Sequence, residues 1–62
     1  MKRLYTETEL ADRLTLKVQT LQSWRRENVG PPYVKLVGTV RYREDDVDAW
    51  VDAQLHRGKE DG

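Results

Sequence analysis

The chain has no cysteine, one histidine, one methionine, two prolines and four glycines. Without cysteine there is no disulfide and no thiolate zinc site. The lone His56 cannot build a metal centre by itself, and it stands in a polar stretch. The absence of cysteine sits easily with a reducing cytosol. No apolar run is long enough to span a bilayer, and no signal-peptide core follows Lys2 and Arg3. A Ser/His/Asp or Cys/His set is missing, as is a Gly-rich phosphate loop; Gly30 and Gly38 stand isolated, as turn glycines do. A chain of 62 residues rarely supplies the walls of a pocket. These absences point away from an enzyme, a cofactor carrier, a small-molecule binder and a membrane protein. They leave a small binding module, expected in the cytoplasm.

What is present is charge, sharply divided. The formal total is zero. Residues 17 to 43 nevertheless carry +5, from Lys17, Arg25, Arg26, Lys35, Arg41 and Arg43 against Glu27 alone. Residues 44 to 54 carry −5, from Glu44, Asp45, Asp46, Asp48 and Asp52, with no base. A neutral protein divided in this way has a positive surface and a negative one. The positive one calls for a polyanion, nucleic acid first. Charged residues make up 35% of the chain, but its apolar residues are periodic, which argues against disorder. A domain of this size buries only about 60% of its unfolded surface, so one small, marginally stable domain is expected.

The pattern divides the chain into an α-α-β-β-α order. Thr6-Glu7-Thr8-Glu9 has the form of a capping box, which opens a helix from about Glu7 to Leu14 with Leu10, Ala11 and Leu14 on one face. Thr15-Leu16-Lys17 breaks the pattern. A second helix runs from about Val18 to Glu27, with Val18, Leu21 and Trp24 as its inner stripe. Turning about 100° per residue puts Gln19, Gln22, Ser23 and Arg26 on the opposite side, a face read as free of acids. Two amphipathic helices joined so closely read as a helix-turn-helix. Asn28 to Pro32 ends the second helix, with Gly30 expected at the left-handed cap. Tyr33 to Val37 reads as a strand with Val34 and Leu36 inward. Gly38-Thr39 reads as the turn, and Val40 to Arg43 as the return strand, with Val40 and Tyr42 on one side and Arg41 and Arg43 on the other. A third helix starts near Glu44 or Asp45, its acids favouring the positive end of the helix dipole. Val47, Trp50 and Val51 are its expected buried stripe, continued by Gln54 or Leu55. One domain over residues 1–55 is expected, with a polar, flexible tail over 56–62.

The outer face of the second helix and the basic side of the hairpin suit a division of labour on duplex DNA. Gln19 and Gln22 have the amide geometry to read adenine, Arg26 the guanidinium to read guanine, and Ser23 is short enough for close approach. Lys17, Thr20 and Arg25 are expected on the backbone, Arg25 reaching over the edge of Trp24. Lys35, Thr39, Arg41 and Arg43 are the expected wing contacts. Each of these side chains is also an ordinary surface residue. Lysine and arginine on a hairpin also guard an edge strand. Trp24 and Trp50 have the rings to stack on single-stranded bases, but their helical spacing favours the core, as hairpin packing does for Tyr33 and Tyr42. The cluster Asp45, Asp46, Asp48 and Asp52 lacks the spacing of a calcium loop and reads as a solvated face that repels DNA.

Beyond this physical reading, the ordered series resembles a known family. Tyr5-Thr6-Glu7-Thr8-Glu9-Leu10-Ala11 is followed by Val18, Thr20-Leu21 and Trp24-Arg25. Gly30-Pro31-Pro32 comes next, then Val40-Arg41-Tyr42-Arg43, Asp45-Asp46-Val47 and Trp50. Over about residues 4 to 52 this resembles the small excisionase-like, MerR-type winged helix-turn-helix proteins. AlpA-like regulators and phage excisionases (recombination directionality factors) belong to that group. The size and plain architecture resemble most an excisionase of an actinobacteriophage. The resemblance implies an α+β fold with the second helix in the major groove and a two-stranded hairpin wing on the adjacent backbone or minor groove. It also implies binding beside an attachment site, DNA bending, and a bias of a partner integrase toward excision. By position it carries base or groove contacts onto Gln19, Ser23 and Arg26. Two departures stand out. Lys17 replaces the small hydroxyl residue that commonly caps the second helix. Gln19 and Ser23 are neutral where some relatives are charged.

The expected function is therefore a sequence-specific excisionase for double-stranded DNA, without cofactor. It would be a monomer in solution that associates head-to-tail on DNA and works with a phage integrase in a bacterial host. The stretch after Trp50 is short for the long dimerisation helix of a full MerR arrangement. An AlpA- or MerR-like transcriptional regulator is the alternative on the same fold. A protein-interaction adaptor using the acidic third helix is the alternative from another class.

Overall fold

A computed structural model describes the backbone of residues 3–61 and the side chains of residues 3–55. The elements follow in the order β1 (Leu4–Tyr5), α1 (Glu7–Arg13), α2 (Val18–Arg26), β2 (Val34–Leu36), β3 (Thr39–Arg43) and α3 (Glu44–Asp61). The architecture is α+β, that of a winged helix-turn-helix. The expected polar tail at 56–62 concerns side chains, and Gly62, outside those described; the α3 backbone continues through the segment to Asp61.

Local chemistry explains the helix boundaries. Thr6 Oγ1 accepts from the Glu9 amide at 3.0 Å, and Glu9 Oε1 accepts from the Thr6 amide at 2.9 Å, so the capping box is complete. Glu9 titrates below the usual carboxylate range, chiefly because of the Thr6 backbone hydrogen bond. Helix α1 ends with Thr15 at φ 57°, where the Thr15 amide donates to Asp12 O at 3.1 Å and the Leu16 amide to Ala11 O at 2.7 Å. This is a Schellman closure, and it lets Leu16 turn back onto the core.

Helix α2 closes the same way, and here the expectation about Gly30 needs correction. The left-handed cap residue is Asn28, at φ 61°; its amide donates to Arg25 O at 3.3 Å and the Val29 amide to Trp24 O at 2.9 Å. Asparagine tolerates that conformation better than most residues. Gly30 is required for another reason. Its φ is 87°, and a Cβ there would lie 2.7 Å from Trp24 Cε3.

The sheet has three strands in the order β1-β3-β2, not the two of the expected hairpin. Leu4 pairs with Arg43 and Tyr5 with Tyr42, while Val34 pairs with Arg41 and Leu36 with Thr39. The hairpin turn is Val37-Gly38, one residue earlier than expected, because both have positive φ (43° and 84°) and close a type I′ turn. Val37 is thus a tip residue. Leu36, expected inward, is exposed, and Val34 is half-buried.

Tyr5, Leu10, Ala11, Leu21, Tyr42 and Val47 form the core, with Leu14, Leu16, Val18, Trp24 and Val40 packed around them. Trp24 and Trp50 meet at 5.5 Å between ring centroids with planes 48° apart, a tilted pair worth about 1 kcal/mol beyond burial. Val51, expected in the buried stripe of α3, is 42% exposed. The inward row of α3 is Val47, Trp50 and Gln54. Among the described residues no helix is long and apolar enough to cross a membrane.

Candidate nucleic-acid interface

The outward side chains of α2 fall into two groups. Gln19 and Arg26 are exposed and make no hydrogen bond or ion pair among the described residues. Lys17 joins them at the N-cap, where its side chain supplies no capping hydrogen bond. Lys35, in β2, is likewise exposed and uncommitted. Thr20 is half-buried, and its amide donates to Lys17 O at 3.0 Å.

The second group is engaged within the fold. Gln22 Nε2 donates to Glu7 Oε1 at 3.2 Å, and Ser23 Oγ donates to Glu27 Oε2 at 3.0 Å. The helix face read as free of acids is therefore bordered by two carboxylates, one from α1 and one from the end of α2 itself. Glu27 lies one helical turn beyond Ser23, a neighbour that the i, i+4 spacing identifies.

Arg25 is placed differently from its expected backbone role. Its side chain is 19% exposed, and Nη1 donates to the Tyr42 hydroxyl at 2.9 Å. The same nitrogen lies 3.0 Å from Glu7 Oε2. That oxygen is buried and makes no hydrogen bond, so its contact with Arg25 is an ion pair only. The guanidinium also stands 5.8 Å from the centroid of the Tyr33 ring, within cation–π range. Burial works against the Arg25 charge, but the hydrogen bond to Tyr42 and the Glu7 carboxylate outweigh it, and its pKa lies above the usual arginine value. Arg25 thus joins α1, α2 and β3 and is turned away from solvent.

The wing residues also divide. Thr39 Oγ1 donates to Leu36 O at 2.7 Å and steadies the turn. Arg41 is half-buried, and Nη1 donates to Val40 O at 2.8 Å. Thr39 and Arg41 line one open cleft of about 330 Å³ with Arg25 and Glu7, so helix and wing meet there. Arg43 sits at the far end of β3 from the turn, paired with Asp46 at 3.1 Å in the first turn of α3. On the opposite edge of the sheet, the Tyr5 hydroxyl donates to Glu44 at 3.1 Å. Burial and that carboxylate raise the Tyr5 pKa.

The family model described as "Helix-turn-helix domain" matches residues 4–55. The chain belongs to that helix-turn-helix family. Its partner is double-stranded DNA, bound with sequence specificity. No match is found among curated proteins or solved structures. In this helix-turn-helix protein Lys17, Gln19, Arg26 and Lys35 stay exposed and uncommitted among the described residues, while Arg25, Gln22 and Ser23 are engaged within the fold.

Proposed function

We propose that the chain is a phage excisionase. It binds duplex DNA beside an attachment site, bends it, and directs a partner integrase toward excision in the cytoplasm of a bacterial host. Protomers are monomers in solution and associate head-to-tail along the DNA. The observation that carries the reading is the set of exposed, uncommitted side chains Lys17, Gln19, Arg26 and Lys35, drawn from α2 and the adjacent hairpin. Gln19 and Arg26 read base edges in the major groove, adenine and guanine respectively. Ser23 and Gln22 reach the same groove once their carboxylate partners release them. Lys17, Thr20 and Lys35 hold phosphates, joined by Thr39 beside the turn and Arg41 further along the return strand. Arg25 and Arg43 serve the scaffold. The small size and plain architecture, which resemble an excisionase most, support the recombination role over a purely regulatory one.

The test has two stages. Duplexes selected from a random pool are titrated across salt. Three phosphate-neutralising cations give a log–log slope of about −3. A slope near zero ends the DNA-contact reading. The protein is then added to an integrase reaction in vitro. A shift from integration to excision is expected; no change in direction leaves a transcriptional regulator of the AlpA type.

A further inference from the structure

The tip of the wing carries a residue that folding alone does not explain. Val37 is fully exposed, and its φ is 43°. It occupies the first central position of a type I′ turn, where asparagine or glycine is favoured. A β-branched side chain in the left-handed region is strained, and strain of this kind gathers at functional sites. Leu36, beside it, is 45% exposed. Gly38, the other central residue, has nothing within 4 Å of where a Cβ would stand. The tip therefore presents valine and leucine to solvent and gains no packing in return.

The charges around this tip identify its occupant. Lys35 immediately precedes the apolar pair and is uncommitted, and Arg41 stands two residues beyond Thr39 on the return strand. An apolar point with an exposed lysine beside it and an arginine further along the return strand suits the minor groove of a duplex. There, aliphatic side chains enter base steps while lysine and arginine hold the phosphates. We propose that Leu36 and Val37 form an apolar wedge in the minor groove of bound DNA, with Val37 prising open one base step. The wedge rests on the DNA-binding reading and adds to it the residues that kink the duplex.

The experiment is Val37→Asn in the full chain, with Val37→Ile as control. Asparagine suits the left-handed turn, so the thermal midpoint of V37N rises, by about 4 °C. Its affinity for the selected duplex falls about tenfold. Its bend, read by energy transfer between labelled duplex ends, shrinks. A 2-aminopurine at the contacted step brightens with the wild type and with V37I, and stays dark with V37N. Unchanged affinity, bend and fluorescence in a stabilised V37N overturn the wedge and leave DNA binding intact. Failure of the wild type to bind any selected duplex overturns both.

Discussion

Arg25 Nη1 donates to the Tyr42 hydroxyl at 2.9 Å, so α2 is tied directly to the central strand of the sheet. Tyr42 is itself in the core, and the Glu7 carboxylate closes the arrangement from α1. One guanidinium therefore bridges α1, α2 and β3. Arginine suits this place because its planar guanidinium stands within cation–π range of the Tyr33 ring while Nη1 meets both Tyr42 and Glu7.

Arg25→Ala leaves Glu7 Oε2 buried without its cation, and the loss of stability is about 2 kcal/mol in urea unfolding. The salt slope of DNA binding stays at its wild-type value. Lys35→Ala does the reverse: stability changes by less than about 0.5 kcal/mol and the slope falls by about 1. A fall in slope for R25A would return Arg25 to the phosphate contacts.

Gly30→Ala places a methyl against Trp24 and a Cβ at φ 87°. Strain and overlap add, and the cost is about 3 kcal/mol. Tryptophan fluorescence followed through urea unfolding measures it, because the displaced ring is also the partner of Trp50. A change below about 1 kcal/mol would mean that the 28–32 turn yields freely.

Lys17→Ser separates stability from binding. Serine at the N-cap accepts from the first turn of α2, where Lys17 supplies no side-chain bond, and stability rises by about 1 kcal/mol. Affinity for duplex falls, because one exposed cation is lost. Thermal unfolding and salt titration of the same variant give the two signs. A K17S protein that gains stability and binds as well as wild type removes Lys17 from the interface.

Glu9 gives the fold an acid-sensitive point. Its folded pKa lies below the ordinary value of 4.5, first through the Thr6 backbone hydrogen bond. Its contribution is therefore present above that value and is lost as pH falls through the lower folded pKa. Glu9→Gln keeps a side chain able to cap Thr6 but does not titrate. Its stability falls less steeply than wild type below about pH 4.5. Parallel acid limbs would place the acid sensitivity elsewhere.

The parts legible from sequence were those with local chemistry. The capping box at Thr6 and Glu9 and the stripe Val18, Leu21, Trp24 each involve residues three or four apart, and both helices stand where those signals put them. Strand β1 was hidden because two residues show no period and its partner lies in β3. The turn was misplaced by one residue because a valine at φ 43° runs against turn propensity, and a glycine nearby draws the assignment toward itself. Val51 was misjudged because the row of α3 that packs is set by the position of Trp24, which helical periodicity does not contain. The same reasoning explains Arg25. Helical angle gives the direction of its Cβ, but the carboxylate and phenol that draw its guanidinium inward belong to other elements.

The pairing of β1 with β3 also sets an order of assembly. Tyr5 and Glu44, joined by a hydrogen bond, are 39 positions apart in the chain. Loop-closure entropy favours the neighbouring helices and the tight hairpin first, and the N-terminal strand docks after them. Tyr5→Ala should consequently speed unfolding in a stopped-flow chevron and leave the folding arm nearly unmoved. During synthesis β1 has no mate until the hairpin strand β3 has been made, so its docking is a late fastening.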